Sequence, residues 1–214
     1  MALAARPASQ IRMVYFDLGN VLLDFDHAIA SRQLGQLFGR TPDEMHQLVF
    51  ESGLEHRYEK GEISTGEFHE FLCAETGCRP SLPDVCRAAA DIFRLRADTP
   101  PIVAALKAAG MTTGILSNTC AAHWEFVYAG RYRILNDLFD RIVLSYEAKS
   151  MKPEPLIYEV AIAEANCEPH EIFFMDDRPE NVAGARSAGI DAELFTSGAK
   201  LAADLRRRGV RLNY

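Results

Sequence analysis

IRMVYFDLGNV, residues 11–21, predicts a buried β-strand that ends at a carboxylate and a glycine. Its first part, Ile11–Phe16, is too short for a helix, and a nearly continuous apolar run indicates a strand covered on both faces. Helical segments separate the later apolar runs of this kind, and this alternation predicts right-handed crossovers around a parallel sheet. We therefore expect an α/β fold with a doubly wound, Rossmann-like core. The four later predicted strands are Thr112–Leu116, Arg141–Leu144, Glu171–Met175 and Asp191–Leu194.

The segment between the first two predicted strands breaks this alternation. Residues 27–97 contain no convincing strand but at least four helical segments. One of them opens with a capping box at Thr41–Glu44, and the last opens at Pro83 and carries Ile92 and Phe93. These features predict a helical, four-helix-bundle-like insertion. The expected division is a core formed by residues 1–26 and 98–214 and an inserted helical unit formed by residues 27–97.

The amino-acid composition limits which molecules the protein is expected to bind and where it is expected to act. The 214 residues include 23 Lys+Arg and 30 Asp+Glu, which gives a formal net charge of −7. An acidic chain of this kind is not expected to bind nucleic acid or an anionic membrane. Five cysteines without C-x-x-C spacing and the lack of any long apolar run favour a reduced, cytoplasmic protein.

Polar side chains follow four of the predicted strands, at the point where each strand ends. Ligands bind at the carboxyl ends of the strands in an open parallel sheet, so these side chains are candidates for one site. Any one of them alone is typical of a turn or a helix cap, but the ordered set indicates a shared site. In chain order they are Asp17, then Ser117 and Asn118, then Lys152, and then Asp176, Asp177 and Asn181.

This combination of groups suits phosphoryl transfer through a covalent intermediate. A carboxylate such as Asp17 can attack phosphorus. A further pair of carboxylates can hold Mg²⁺, which prefers oxygen ligands, and lysine and hydroxyl groups can neutralise phosphoryl oxygens. Without a cation, a carboxylate and a phosphate dianion repel each other by about 1–4 kcal/mol per charge pair. The residues therefore predict Mg²⁺ as cofactor.

The same segments resemble the four ordered motifs of the haloacid dehalogenase-like (HAD) hydrolases, over nearly the whole chain. The insertion resembles the C1 cap of that superfamily. Asp17–Val21 and Glu59–Ser64 are most similar to the branch containing α-D-glucose-1-phosphate phosphatase and the N-terminal phosphatase domain of soluble epoxide hydrolase. The matching segments are Phe16–Val21, Ile115–Thr119, Met151–Pro153 and Phe174–Asp177, with Asn181 and Gly184.

The resemblance implies a role for each matching residue. Asp17 would be the nucleophile, and Ser117, Asn118 and Lys152 would bind the phosphoryl group, with Lys152 also stabilising Asp17. The implied metal ligands are Asp17, the backbone carbonyl of Gly19, and Asp177, with Asp176 and Asn181 in support. The implied function is a Mg²⁺-dependent phosphomonoesterase for a small phosphorylated metabolite, with sugar phosphates among the candidates.

Gly19 departs from the common family pattern, in which an aspartate at this position donates a proton to the leaving group. Loss of a general acid typically costs 10²–10⁴-fold in rate. Asp24, Asp26 and His27 lie just downstream and are the candidates to replace it.

Two alternative functions remain at the level of sequence. In a 2-haloacid dehalogenase, Asp17 would attack carbon, but that reaction needs no metal and leaves the Asp176–Asp177 pair without a role. A catalytically weak, phosphate-binding protein is the other alternative. In the insertion, Arg57 and Tyr58 are candidates to face the substrate, whereas the histidines, including His123, are expected at surface or packing positions.

Overall fold

The computed structural model describes residues 11–132, 134–210 and 212. Two sheets are present in this part of the chain, one with five parallel strands and one with two antiparallel strands. The strands are β1 (Met13–Phe16), β2 (Leu23–Phe25), β3 (Phe93–Leu95), β4 (Thr112–Ser117), β5 (Arg141–Leu144), β6 (Ile172–Asp176) and β7 (Asp191–Leu194).

Helices cover both the large sheet and the region between β2 and β3. The α-helices are α1 (His27–Phe38), α2 (Pro42–His46), α3 (Leu54–Glu59), α4 (Thr65–Thr76), α5 (Leu82–Ala90), α6 (Pro100–Ala108), α7 (Ala121–Phe126), α8 (Ile134–Leu138), α9 (Ser145–Ala148), α10 (Pro155–Ala165), α11 (Pro179–Ser187) and α12 (Gly198–Arg207). Two π-helical segments, Gln47–Glu51 and Val127–Arg131, and one 3₁₀ segment, Pro169–Glu171, complete the helical structure of the described residues.

The large sheet has the strand order β5-β4-β1-β6-β7, which confirms the predicted doubly wound parallel core. β1 lies in the middle and is buried along its whole length. Phe16 pairs with Ile115 of β4 and with Met175 of β6, so the carboxyl ends of these three strands lie side by side. The backbone N–H of Asp17 continues this ladder by donating to the Met175 carbonyl at 3.0 Å. The residues that follow the strands are thus brought to one edge of the sheet.

The five helices α1–α5 lie between β2 and β3, where a helical insertion was predicted. Their inner faces form a hydrophobic cluster of their own, which includes Leu34, Phe38, Met45 and Leu72. Leu34, Met45 and Leu72 are fully buried. The capping box predicted at Thr41 is present, and it opens α2.

The prediction that residues 27–97 contain no strand is wrong. β3 lies within this range and pairs antiparallel with β2, and α5 ends at Ala90, so Ile92 and Phe93 are not helical. The strand is three residues long, and only one of the three is buried. Its sequence therefore carries little periodicity, and its partner lies some seventy residues earlier in the chain. The pairing joins the two ends of the inserted helices.

The first ten residues of the predicted core lie outside the described residues, so the exact division into core and insertion stays a prediction. Of the helices in the described segments, none combines the length and apolar character that a membrane crossing requires.

Candidate active site

Asp17 lies at the carboxyl end of β1, at the floor of a cavity of about 230 Å³. Only 7 % of the residue is exposed. Burial is the largest influence on its carboxyl group and, together with the charges of Asp176 and Asp177, outweighs the opposing effect of Lys152, so the pKa of Asp17 is raised to about 7. Lys152 therefore does not fully compensate the negative charge of the Asp17 carboxylate.

Lys152 is the central cation of the site, and its side chain is 1 % exposed. Its Nζ donates to Asp17 Oδ1 at 2.7 Å, to Asp176 Oδ2 at 2.6 Å and to the Leu116 carbonyl at 2.8 Å. All three ammonium donors are thus used, which offsets the cost of burying the charge. The lysine holds the ends of β1, β4 and β6 together and orients the Asp17 carboxylate.

The two neighbouring aspartates after β6 have different surroundings. Asp176 is fully buried, and its carboxylate accepts hydrogen bonds from Lys152 Nζ, the Arg178 backbone N–H and Asn181 Nδ2. Asp177 is only partly buried and accepts one hydrogen bond among the described residues, from Asn20 Nδ2 to its Oδ2 at 2.9 Å. Asp177 therefore keeps oxygen lone pairs directed to the cavity, whereas those of Asp176 are largely occupied.

Asn20 is a site residue that the sequence analysis missed. It adopts a positive φ of 54°, a conformation that asparagine tolerates better than most residues, and its N–H donates to the Leu23 carbonyl at 2.7 Å. This turn points the Asn20 amide at Asp177. A turn asparagine is common in sequence, and its contact with a residue 157 positions away carries no local signal.

The two polar residues after β4 are placed differently from each other. Ser117 is 1 % exposed and lines the cavity. Asn118 also lines the cavity, but its side-chain amide is engaged with the Lys152 backbone: Nδ2 donates to the carbonyl at 2.9 Å, and Oδ1 accepts from the N–H at 2.8 Å. Asn118 therefore orients the loop that carries Lys152, and a phosphoryl contact from Asn118 would come from its backbone.

Gly19 lines the same cavity, and the Phe25 ring packs over it. A Cβ built on Gly19 would lie 2.9 Å from Phe25 Cε1, so any side chain there requires the ring to move. Of the three proposed replacement acids, only His27 lines the cavity. Asp24 pairs with Arg96 instead, and Asp26 caps α1.

The insertion supplies two carboxyl groups to the cavity wall that the sequence analysis did not select. Glu55 and Glu59 line the cavity together with His27 and His123. Ligand atoms of Glu55, Glu59 and His123 lie within 4.8 Å of one another. Burial raises the pKa of Glu55 to about 9 and that of Glu59 to about 7, and it lowers the pKa of His123 to about 4. His123 is buried and packs edge-on against Phe93, as expected of a packing residue, and it also lines the cavity.

The two insertion residues that were predicted to face the substrate do not line this cavity. Arg57 is half exposed and lies 3.7 Å from Glu62. Tyr58 is buried, stacks on Phe68 and accepts a hydrogen bond from the Ala122 N–H through its hydroxyl. The helix α3 presents its carboxyl groups to the cavity because Tyr58, on another face, packs into the hydrophobic cluster of the insertion.

The carboxylate cluster at the sheet edge fits a divalent cation. Oxygens of Asp17, Asp176 and Asp177 lie within 4.8 Å of one another, and Lys152 compensates only part of their charge. Asn181 Oδ1 is buried beside them without a hydrogen-bond partner in the described structure. Hard oxygen donors and an excess of negative charge are what Mg²⁺ requires.

The profile of the haloacid dehalogenase-like hydrolase family matches residues 11–189. The chain belongs to this family. The match spans β1 through α11 and thus includes every predicted site residue of this HAD-like hydrolase. The resemblance noted from the sequence motifs is confirmed.

Curated relatives of this HAD-like hydrolase include enzymes that are named for different reactions. It is 26 % identical over 199 residues to a D-ribitol-5-phosphate phosphatase of Bacteroides thetaiotaomicron, covering 88 % of this chain and 94 % of the relative. It is 27 % identical over 192 residues to an (S)-2-haloacid dehalogenase of a Pseudomonas species, covering 85 % and 82 %. A bifunctional epoxide hydrolase of Rattus norvegicus is 26 % identical over 196 residues, and the match spans 84 % of this chain but only 35 % of that protein.

Solved structures agree with this assignment. A HAD family enzyme of Bacteroides thetaiotaomicron, in complex with magnesium and inorganic phosphate, superimposes with a TM-score of 0.73 at 26 % identity. The alignment covers 88 % of this chain and 96 % of that chain.

Proposed function

We propose that this protein is a Mg²⁺-dependent phosphomonoesterase that acts through a phospho-aspartyl intermediate. The observation that carries the proposal is the buried Asp17 carboxylate, which is hydrogen-bonded to Lys152 and lies beside the carboxylates of Asp176 and Asp177. A relative named as a ribitol-phosphate phosphatase and a similar structure with magnesium and phosphate support the same reaction.

The chemistry proceeds in two displacements at phosphorus. In the first, a carboxylate oxygen of Asp17 forms a bond to phosphorus while the bond to the ester oxygen breaks, and the departing alkoxide takes a proton from solvent or from the candidate acid His27. In the second, water attacks phosphorus and releases a proton to solvent, the bond to Asp17 breaks, and inorganic phosphate leaves. Asp17 returns to its starting carboxylate form.

The surrounding residues have separate tasks in this mechanism. Lys152 fixes the orientation of Asp17, and Ser117 can turn its hydroxyl toward a phosphoryl oxygen. The Mg²⁺ ligands would be Asp17, the backbone carbonyl of Gly19, and Asp177. When bound, the ion neutralises the phosphoryl oxygens and so removes the repulsion between substrate and nucleophile.

Asp176 and Asn181 would support the metal site from behind it. Asn181 Nδ2 donates to both oxygens of Asp176, at 3.0 and 3.1 Å, and Asp176 in turn holds Lys152. Such outer contacts fix the position of the residues that touch the ion.

Protonation of the leaving group lacks its usual donor because residue 19 is glycine. His27 is the candidate that lines the cavity, and its ring stacks on Phe50 at 4.3 Å between centroids. We propose that turnover depends strongly on the pKa of the leaving group. Gly19 offers no acid, and of the three candidate replacements only His27 lines the cavity.

We further propose that residues 27–97 act as a cap over the catalytic core. The backbone carbonyl of Glu59 accepts from Ser145 Oγ at 2.6 Å, and Lys60 pairs with Glu154 at 2.6 Å. Gly61 has a φ of +69°, and a Cβ at this position would lie 2.2 Å from the Tyr146 carbonyl oxygen. The insertion therefore approaches the core so closely here that only glycine fits. These contacts support the cap assignment, because they hold the end of α3 against the core.

The acidic charge of the chain supports a small phosphorylated metabolite as substrate, rather than a nucleic acid. Cysteines without a disulfide among the described residues support a cytoplasmic location.

A 2-haloacid dehalogenase is the second candidate, because one relative carries that name. Assay of phosphate release from a panel of phosphorylated metabolites, with Mg²⁺ and with excess chelator, distinguishes the two. We expect Mg²⁺-dependent release that Asp17→Asn abolishes and that the exposed control Asp43→Asn retains. Halide release from 2-haloacids in chelator, without phosphate release, would refute the phosphatase.

A further inference from the structure

We infer that Glu55 and Glu59 form a carboxyl pair that binds hydroxyl groups of the substrate and rejects a second anionic group. The substrate class is therefore a polyhydroxylated monophosphate whose remaining part is uncharged. This inference rests on the proposed phosphatase function and adds the residues that select among its substrates.

The position of the pair is set by the helix that carries it. Glu55 and Glu59 are one turn apart on α3, so both side chains lie on the same face of the helix. Leu54 and Tyr58, on another face, are buried in the hydrophobic cluster of the insertion. The hydrogen bond from Ser145 to the Glu59 carbonyl, at 2.6 Å, fixes the end of this helix against the core. The two carboxyl groups are thus held at the cavity wall.

The pair lacks the partners that a structural role would provide. The Glu59 carboxyl has no hydrogen bond or ion pair among the described residues, and Glu55 has one distant neighbour, His27 Nε2 at 3.6 Å from its Oε1. Like charges at this spacing destabilise a helix. Burial adds a further cost, since it raises the pKa of both groups. Packing alone would be served better by apolar side chains, so the arrangement indicates a ligand.

The charges of the cavity exclude a second anion on that ligand. The cations that line the cavity are Lys152 and Arg178. Lys152 is already engaged by two carboxylates, and Arg178, whose charge also acts on Glu59, is exposed and pairs with Glu180. A carboxylate or a second phosphate on the substrate would therefore face Glu55 and Glu59 without a counter-ion.

Hydroxyl groups match the pair better than other neutral groups or an ammonium. Oxygens of the two carboxyls lie within 4.8 Å of each other, and burial raises the pKa of both, so the pair offers an acceptor oxygen and a donor O–H together. An alcohol both donates and accepts, whereas an ammonium only donates and leaves a carboxyl O–H of the pair without an acceptor. The same cavity is also lined by Ile92 and Phe93, which suit the C–H groups of a carbon chain.

The test uses three ligands that share one skeleton and differ at a single end. They are D-glucitol 6-phosphate, 6-phospho-D-gluconate and 1-amino-1-deoxy-D-glucitol 6-phosphate, which end in a hydroxyl, a carboxylate and an ammonium. Their dissociation constants are measured by calorimetry with Mg²⁺ on Asp17→Asn, which cannot turn them over. We expect the alcohol to bind at least about 10-fold tighter than the acid, since repulsion of about 1–4 kcal/mol between two charges at contact distance corresponds to about 5-fold to 10³-fold in affinity.

Glu55→Gln/Glu59→Gln in the same background removes the charge but keeps the shape and the hydrogen-bonding atoms. We expect the alcohol-to-acid ratio to fall below about 3, with the acid gaining affinity. Damage to the fold cannot produce that gain. The control Glu62→Gln, an exposed glutamate beside α3, should leave the ratio unchanged.

Three results would overturn the inference: no measurable binding of the alcohol, equal binding of alcohol and acid, or tightest binding of the amine. Failure of the phosphatase proposal would be seen separately, as absence of Mg²⁺-dependent phosphate release by the wild-type protein.

Discussion

Replacement of Lys152 by methionine tests whether this lysine stabilises the site as the structure indicates. The substitution removes three hydrogen bonds of 2.6–2.8 Å and leaves Asp17 and Asp176 buried without their cation. Loss of one partner of a buried ion pair typically costs about 3–5 kcal/mol, because a buried charge is left uncompensated. We therefore expect Lys152→Met to lower the free energy of unfolding by about that amount, measured by urea denaturation without metal.

Two further variants make this result specific. Lys107→Met removes a surface pair with Asp140, in which the lysine side chain is 29 % exposed, and should cost no more than about 1 kcal/mol. The double variant Lys152→Met/Asp176→Asn should recover at least about 1 kcal/mol relative to the sum of the single variants, because it removes one of the orphaned charges. A Lys152→Met loss no larger than that of the surface control would refute the reasoning.

Further predictions follow from the metal site, the glycine and the carboxyl pair. Asp177→Asn should raise the Mg²⁺ concentration for half-maximal activity and lower kcat at least about 10-fold, whereas Asp176→Asn should mainly lower stability, by about 1–3 kcal/mol; the reverse pattern in titration and urea unfolding would contradict these roles. Gly19→Asp should be destabilised by about 1–3 kcal/mol because it displaces Phe25. Together with Phe25→Leu it should raise kcat/KM for alkyl phosphates by up to about 10²-fold relative to aryl phosphates, and an unchanged dependence on leaving-group pKa would count against the missing acid. Burial raises the pKa of Glu55 to about 9, so the folded state keeps a proton that the unfolded chain releases near the usual carboxyl pKa. The free energy of unfolding should therefore fall as pH rises between about pH 5 and 9, by at most about 1.4 kcal/mol per pH unit. Glu55→Gln should flatten this dependence in urea unfolding, and parallel curves for the two proteins would contradict it.

The parallel sheet and the residues at its edge were predictable because both depend on local signals. The central strands are short apolar runs, and the candidate side chains follow such runs, with Lys152 coming after a short intervening helix. Strand order then brings β1, β4 and β6 together. Asp17, Ser117, Lys152 and Asp177 line one cavity for that reason.

The features that the sequence did not predict depend on three-dimensional contacts rather than on local sequence patterns. β3 pairs with β2 across the whole insertion, and Phe25 covers Gly19 only because of the turn between them. Glu55 and Glu59 occur at ordinary helical spacing, which is equally typical of a solvated face. Their place in the cavity depends on how α3 is held against the core.

The central claim is that Asp17 becomes phosphorylated during turnover. Acid quenching of the wild-type protein with Mg²⁺ and substrate, followed by peptide mass spectrometry, measures this directly. We predict a phosphoryl group on Asp17 that forms during turnover and disappears after the substrate is exhausted. The variant Asp17→Asn should show neither this modification nor phosphate release. Steady phosphate release while the Asp17 peptide stays unmodified would contradict the account. Phosphate release by Asp17→Asn would contradict it as well.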